Sequence, residues 1–196
     1  SVWTAFYVGI TSANDAIDKL SESKTVSESI KKRSIGEARF LRAYYYYYAV
    51  QFWGEVPLVL HNVDGKNTTR ASIDEVYAQI EDDLKSAADN LPDVSSYADS
   101  DKGRASKGAA YALLSKVYLV WAQTSESGGD TARKDRFRKS VDAANSVTGY
   151  ELEEDFLDNW NVNNKNGKES IFSTQHASGT ATDGSGGNHL AHCAFS

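Results

Sequence analysis

The sequence predicts an all-α fold, made of antiparallel helix pairs with an irregular C-terminal segment and one short strand. Three observations predict it. Apolar residues recur at helical spacing in five stretches, a helix-capping sequence opens the third of them, and strand-like composition is confined to residues 56–60 and 169–174. A chain of 196 residues fits one domain, and its 40% apolar content is typical of a folded globular protein.

The first two helices follow from apolar periodicity and from helix-breaking residues. The second is predicted over residues 35–53, after a polar stretch at residues 21–29, and Gly54 and Pro57 end it. The first has a single apolar face, formed by Trp3, Phe6, Tyr7, Ile10, Ile17 and Leu20.

The last three helices have clearer boundaries. Ser72 and Glu75 form a capping box before the third helix, predicted over residues 73–91 and ended by Pro92. The fourth starts after residues 104–107 and closes at a Ser-Gly-Gly loop, and a fifth, shorter helix covers residues 134–147.

The helices are predicted to form two hairpins, over residues 36–92 and 105–149. Each pairs an aromatic-rich first helix with a second helix that contains alanines, and the first hairpin ends in Leu-Pro. This arrangement resembles tetratricopeptide repeats, in which small residues allow the two helices to approach closely. Both units are longer than the standard repeat because of their connecting segments.

Five consecutive tyrosines, Tyr44 to Tyr48, lie within the second predicted helix. At 100° per residue their side chains point to every side of the helix, so one core cannot bury them all. A central helix packed on two sides, with hydroxyl groups reaching its rim, explains the pattern. The alternatives are a stacking platform for sugar rings and a protein interface.

Charge and motifs argue against several function classes. The net charge of −6 and the lack of an extended basic cluster predict no nucleic-acid binding, and no apolar run reaches the ~20 residues that span a bilayer. The sequence lacks the common nucleophile, phosphate-loop and metalloprotease motifs, which predicts a protein that is not an enzyme and has no cofactor. His189, His192 and Cys193 could ligate a metal if helical, but they follow a Gly/Ser-rich stretch and are predicted to bind none.

The segment after the fifth helix has a composition suited to carbohydrate. Trp160 offers a flat apolar ring for the C–H face of a sugar, and Asn159 and Asn161 offer amides for its hydroxyl groups. Tyr150 opens the same segment and completes the set of candidate contacts. The alternative is that Trp160 packs this loop against the helical core.

Four motifs, in order along the chain, resemble the SusD/RagB family of nutrient-binding lipoproteins of Bacteroidetes. The longest covers residues 36–46 (GEARFLRAYYY) and continues at 52–59 (FWGEVPLV). The other three are residues 70–77 (RASIDEVY), 103–114 (GRASKGAAYALL) and 168–172 (KESIF).

The resemblance implies a tetratricopeptide-like scaffold over residues 1–150 and the irregular start of a truncated ligand-binding region over 151–196. It implies a surface glycan-binding protein, held at the outer membrane by an N-terminal lipid anchor outside this sequence, that captures oligosaccharides for a SusC-like TonB-dependent transporter. Family members are longer and begin with a lipobox cysteine, so the chain is expected to be an interior portion. A peptide-binding member and a protein-docking scaffold without a small ligand are the alternatives.

Overall fold

The computed structural model describes residues 1–62, 68–161 and 163–175. In these residues the chain forms five α-helices and one two-stranded antiparallel sheet, which confirms the all-α prediction. Helices that follow each other in the chain pack against each other, so α2 lies between α1 and α3. The bounds are α1 Val2–Glu22, α2 Glu28–Trp53, β1 Val56–Pro57, β2 Arg70–Ala71, α3 Ile73–Asn90, α4 Lys107–Thr124 and α5 Gly129–Asn145.

Helices α2 and α5 begin earlier than their apolar patterns predict. The first turns of α2 carry polar side chains, with ion pairs from Lys31 to Glu28 at 3.1 Å and from Arg33 to Glu37 at 3.2 Å. Helix α5 starts at Gly129 rather than at residue 134 and has a similar pair, from Arg133 to Asp130 at 2.8 Å. Solvated turns held by such pairs carry no apolar repeat, which is why periodicity missed them.

The capping box predicted for α3 is present. The Ser72 hydroxyl accepts a hydrogen bond from the Glu75 backbone N–H at 3.3 Å, and the Glu75 carboxylate accepts one from the Ser72 N–H at 2.8 Å. These bonds satisfy two amides that the first helical turn leaves without partners. The helix ends at Asn90, before Leu91 and Pro92.

The two stretches of strand-like composition have different outcomes. Within residues 56–60, β1 pairs with β2 in the register Val56–Ala71 and Pro57–Arg70. Residues 169–174, predicted as a strand, form none and remain irregular. Phe172 instead packs edge-on against Phe40 of α2, with ring centroids 4.8 Å apart, so this segment is held by side-chain packing rather than by a strand partner.

Both predicted hairpins are formed, since α3 packs on α2 and α5 packs on α4. The core is one continuous cluster that runs from Ile10 of α1 to Ala143 of α5. Small residues of α3 and α4 belong to this core, and Ala87, Ala88 and Ala110 are fully buried in it. None of the helices in the described residues combines the length and the hydropathy that a membrane span requires.

Candidate functional site

The tyrosine run is divided between core and rim. Tyr46 and Tyr47 are buried, whereas Tyr44, Tyr45 and Tyr48 are half-buried. The Tyr46 hydroxyl accepts a hydrogen bond from the Val59 backbone N–H at 2.7 Å and donates to the Val59 carbonyl at 3.0 Å. Burial raises the pKa of Tyr46 to about 12. The structure therefore supports the interpretation of a central helix packed on two sides.

Two of the half-buried tyrosines, Tyr44 and Tyr48, belong to a row of rings along α2, spaced four residues apart: Phe40, Tyr44, Tyr48 and Phe52. Neighbouring ring centroids in this row are 6.5, 4.9 and 6.5 Å apart. Phe172 lies over the first two rings. The row is thus an internal packing surface at one end and becomes exposed toward Phe52.

A buried ion pair fixes α2 against both neighbouring helices. The Arg42 guanidinium donates to both Asp83 carboxylate oxygens, at 2.8 and 2.7 Å, and to the Asn14 side-chain oxygen at 2.9 Å. All three side chains are buried. The sequence patterns assign these residues no role. An arginine within the tyrosine-rich helix was nevertheless a signal, because a buried guanidinium requires an acidic partner.

The segment after α5, residues 150–175, is called the exit segment below. Its one short helix in the described residues is the 3-10 turn Phe156–Trp160, capped by the Asp155 carboxylate, which accepts from the Leu157 N–H at 2.9 Å. Trp160 stands at the end of this turn and is 73% exposed. The interpretation in which Trp160 packs the loop onto the helical core is therefore wrong.

Trp160 borders a shallow depression with a volume of about 380 Å³. The exit segment brings Asn159, Trp160 and Asn161 together around it, as their adjacency in the sequence suggested. Further side chains that sequence reasoning did not select complete the lining: Asn164, Lys165, Asn166, Ser173 and Gln175 among them. The asparagine-rich run was visible in the sequence, but its closure against Ser173 and Gln175 depends on an irregular turn that no pattern encodes.

Hydrogen bonds hold the amides of this depression in place. Asn166 and Gln175 form a reciprocal pair, in which each side-chain amide donates to the oxygen of the other, at 3.0 and 2.9 Å. Asn166 adopts a left-handed backbone conformation with φ of 55°. The amide of Asn159 donates to the Glu169 carboxylate at 2.9 Å, and this bond lowers the pKa of Glu169.

Tyr150, the fourth predicted contact, lies apart from the depression. Its hydroxyl is 2.6 Å from the Ser106 hydroxyl, at the start of α4. Its ring packs on Gly108, where an added Cβ would come within 2.6 Å of the ring. Burial raises the pKa of Tyr150. In this structure Tyr150 attaches the exit segment to the helices.

The described residues contain no group of three or more His, Cys, Asp or Glu side chains that could hold a metal ion. The metal-ligand candidates His189, His192 and Cys193 lie outside the described residues, as does the Gly/Ser-rich stretch before them.

Comparison with known proteins adds a family relationship. Residues 1–119 match the family model SusD-like_3, described as starch-binding and associating with the outer membrane. A SusD-like protein of Bacteroides ovatus is 34% identical in an alignment of 182 positions that covers 88% of this chain and 32% of that protein. The chain spans about a third of the length of the curated relatives it matches.

Solved structures show the same fold. The crystal structure of a SusD-like protein from Bacteroides fragilis aligns with a TM-score of 0.75 at 36% identity, covering 90% of this chain and 33% of that one. A laminarin-binding SusD-like protein aligns with a TM-score of 0.77 at 34% identity, covering 90% and 38% of the two chains.

Proposed function

Because the chain belongs to the SusD-like family, we propose that this protein captures oligosaccharides at the cell surface and delivers them to a SusC-like TonB-dependent transporter. The transporter would carry the ligand across the outer membrane, and this protein would bind it without catalysis. In this proposal a lipid anchor upstream of the present sequence holds the protein at the membrane.

The observation that carries the proposal is the match to a laminarin-binding relative. That likeness extends over nine-tenths of this chain, at 34% identity. This sequence identity is higher than that of proteins that share only a fold, and it therefore supports a shared role in glycan capture. The relatives are about three times as long as the matched region.

We also propose a division of labour along the chain. Residues 1–150 would form the helical scaffold, and residues 151–196 would begin the ligand-binding region. The described part of the exit segment supports this division because it leaves the helices and carries four exposed large apolar side chains: Leu152, Phe156, Leu157 and Trp160. Exposed apolar groups of this kind are typical of interaction surfaces.

Two measurements test the proposal. Affinity electrophoresis against a panel of polysaccharides, followed by isothermal titration with the oligosaccharides of any positive, tests glycan capture. Affinity purification from the native outer membrane, with mass spectrometry of the retained proteins, tests the partnership with a TonB-dependent transporter. We expect at least one neutral glycan of the panel to bind, and we expect a TonB-dependent transporter among the proteins retained in the purification. Failure to bind any glycan would contradict the proposed capture function.

A second candidate is a protein-docking scaffold without a small ligand. It is favoured by apolar side chains exposed on the outer helices, such as Val8 of α1 and Val141 of α5. Peptide binding within the same family is the related alternative. Transporter co-purification together with a blank glycan panel would support the scaffold, and a positive peptide titration would support the peptide-binding form.

A further inference from the structure

The depression of the exit segment combines a ring available for stacking with several side-chain amides. A second depression, of about 430 Å³, lies along α1 beside Trp3, Tyr7 and Val8. Its polar side-chain groups are the hydroxyls of Thr4, Tyr7, Thr11 and Ser12 and the indole N–H of Trp3, and no side-chain amide is among the described residues that line it. The exit segment is therefore the better candidate for a ligand rich in hydroxyl groups.

We infer that the depression beside Trp160 is a subsite for one uncharged pyranose unit, stacked on the Trp160 ring and hydrogen-bonded by the surrounding amides. The inference rests on the proposed glycan-binding function and goes further, because it names a position on the chain and the charge of the sugar. It also implies that the exit segment contributes a contact of its own, in addition to any contacts elsewhere in the longer relatives.

The first argument is the exposure of the tryptophan ring. A large aromatic side chain that is 73% exposed gains little from the fold, but its apolar face can cover the C–H face of a sugar. Phe156, in the same 3-10 turn, is 71% exposed and does not line the depression. Two rings of equal exposure thus differ in whether polar groups surround them.

The second argument is that the polar groups are held in place before a ligand arrives. The Asn166–Gln175 pair is further tied by Ser173, whose hydroxyl donates to the Asn166 side-chain oxygen at 3.3 Å. Asn159 is held by Glu169, and Asn164 donates to the Glu153 carboxylate at 3.0 Å. A carboxamide both donates and accepts hydrogen bonds, as a sugar hydroxyl requires. Fixing these groups in advance reduces the entropy lost on binding.

The third argument concerns charge. No acidic side chain is among the described residues that line the depression, and Lys165 is its basic member. The stretch of sequence that carries it, residues 151–169, however contains six acidic side chains and two lysines, and the carboxylates of Glu153 and Glu169 contact amides of the lining. A uronic acid or a sulfated sugar would enter this negative field unfavourably, whereas an uncharged sugar would not.

The size of the depression limits the ligand to a short unit. A volume of about 380 Å³ is near the lower end of small-molecule sites. For one sugar ring on an open surface, the free energy available per atom predicts a Kd on the order of 1 mM. Such a subsite would contribute to binding mainly as one contact among several on a longer glycan.

The test uses the full 196-residue chain, labelled with ¹⁵N. The indole N–H signal of Trp160 is the one of four tryptophan signals that disappears in Trp160→Phe. We expect laminaribiose to shift this signal saturably and glucuronic acid to bind at least about tenfold more weakly. Trp160→Ala should weaken laminaribiose binding at least about tenfold, whereas the matched variant Phe156→Ala should leave it unchanged.

Several outcomes would overturn the inference. A Trp160 signal that laminaribiose does not move, equal binding of glucuronic acid, or an equal loss in Phe156→Ala would each do so. The result is separable from the proposed function. If Trp160→Ala retains full affinity for a polysaccharide that the unmodified chain binds, the subsite is refuted and glycan capture remains. If the unmodified chain binds no glycan, the proposed function itself fails.

Discussion

The tyrosine run of α2 and the 3-10 turn of the exit segment are both rich in aromatic side chains, but they differ in how these side chains are used. In the tyrosine run of α2, Tyr46 and Tyr47 are buried between helices, and the Tyr46 hydroxyl binds the backbone at Val59. In the 3-10 turn of the exit segment, Phe156 and Trp160 extend into solvent. Aromatic content alone therefore does not indicate a binding surface. What distinguishes the two regions is whether neighbouring elements cover the rings.

The difference lies in the neighbours that each region has. Helix α2 is flanked by α1 and α3, and Phe172 covers part of its ring row. In the exit segment, Tyr150 and Phe172 pack on the helices, whereas the turn that carries Trp160 is held by polar contacts within the segment itself. We therefore expect substitutions in the helical body to change stability, and substitutions at Trp160 to change binding.

Asp83→Ala should produce the largest effect on the helical body. It would leave the buried Arg42 guanidinium without its carboxylate partner, and an unpaired buried charge costs about 3–5 kcal/mol of unfolding free energy. Urea denaturation followed by circular dichroism measures this loss. The matched control is Asp82→Ala, at the neighbouring position.

The Asp82 carboxylate is 70% exposed and pairs with Arg39 at 3.2 Å on the surface. Its removal should cost less than about 1 kcal/mol, since solvent screens exposed ion pairs. Similar losses in the two variants would contradict the assignment of Arg42 and Asp83 as the pair that fixes α2 to α3.

Tyr46→Phe should have an intermediate effect. The change removes the hydroxyl that accepts from the Val59 N–H and leaves that half-buried amide without this acceptor, at a cost of about 1 kcal/mol. Denaturation midpoints would show the loss, and oligosaccharide titration should show unchanged affinity. Tyr48→Phe, on the half-buried rim, serves as the control and should change stability little. A loss of affinity in Tyr46→Phe without a loss of stability would indicate that the tyrosine run contacts the ligand.

The sequence predicted the helical body well because its signals are local. Apolar spacing located five helices, and the Ser72–Glu75 capping box marked the start of α3 to the residue. The solvated first turns of α2 and α5 were missed because surface ion pairs leave no apolar repeat. The Arg42–Asp83 pair was missed because its partners lie 41 residues apart on different helices.

The exit segment was less predictable for a related reason. Adjacency in the sequence was enough to group Asn159, Trp160 and Asn161. Three other features depend on how an irregular chain returns to the helices. They are the contact between Asn166 and Gln175, the packing of Phe172 on α2 and the location of Tyr150 at Gly108. Composition suggested the chemistry of this segment, while its geometry required the structure.

Trp160→Ala should have the smallest effect on stability. Trp160 is 73% exposed, so its replacement should change the free energy of unfolding by less than about 0.5 kcal/mol. Phe156→Ala should behave the same way in urea, because the two rings are almost equally exposed. If Trp160→Ala lowers the free energy of unfolding by more than about 1 kcal/mol, the Trp160 ring contributes to packing as Tyr46 and Tyr47 do. The distinction between the two aromatic regions would then be lost. Equal stability of both variants, with binding lost in Trp160→Ala alone, would instead separate packing from recognition within one short turn.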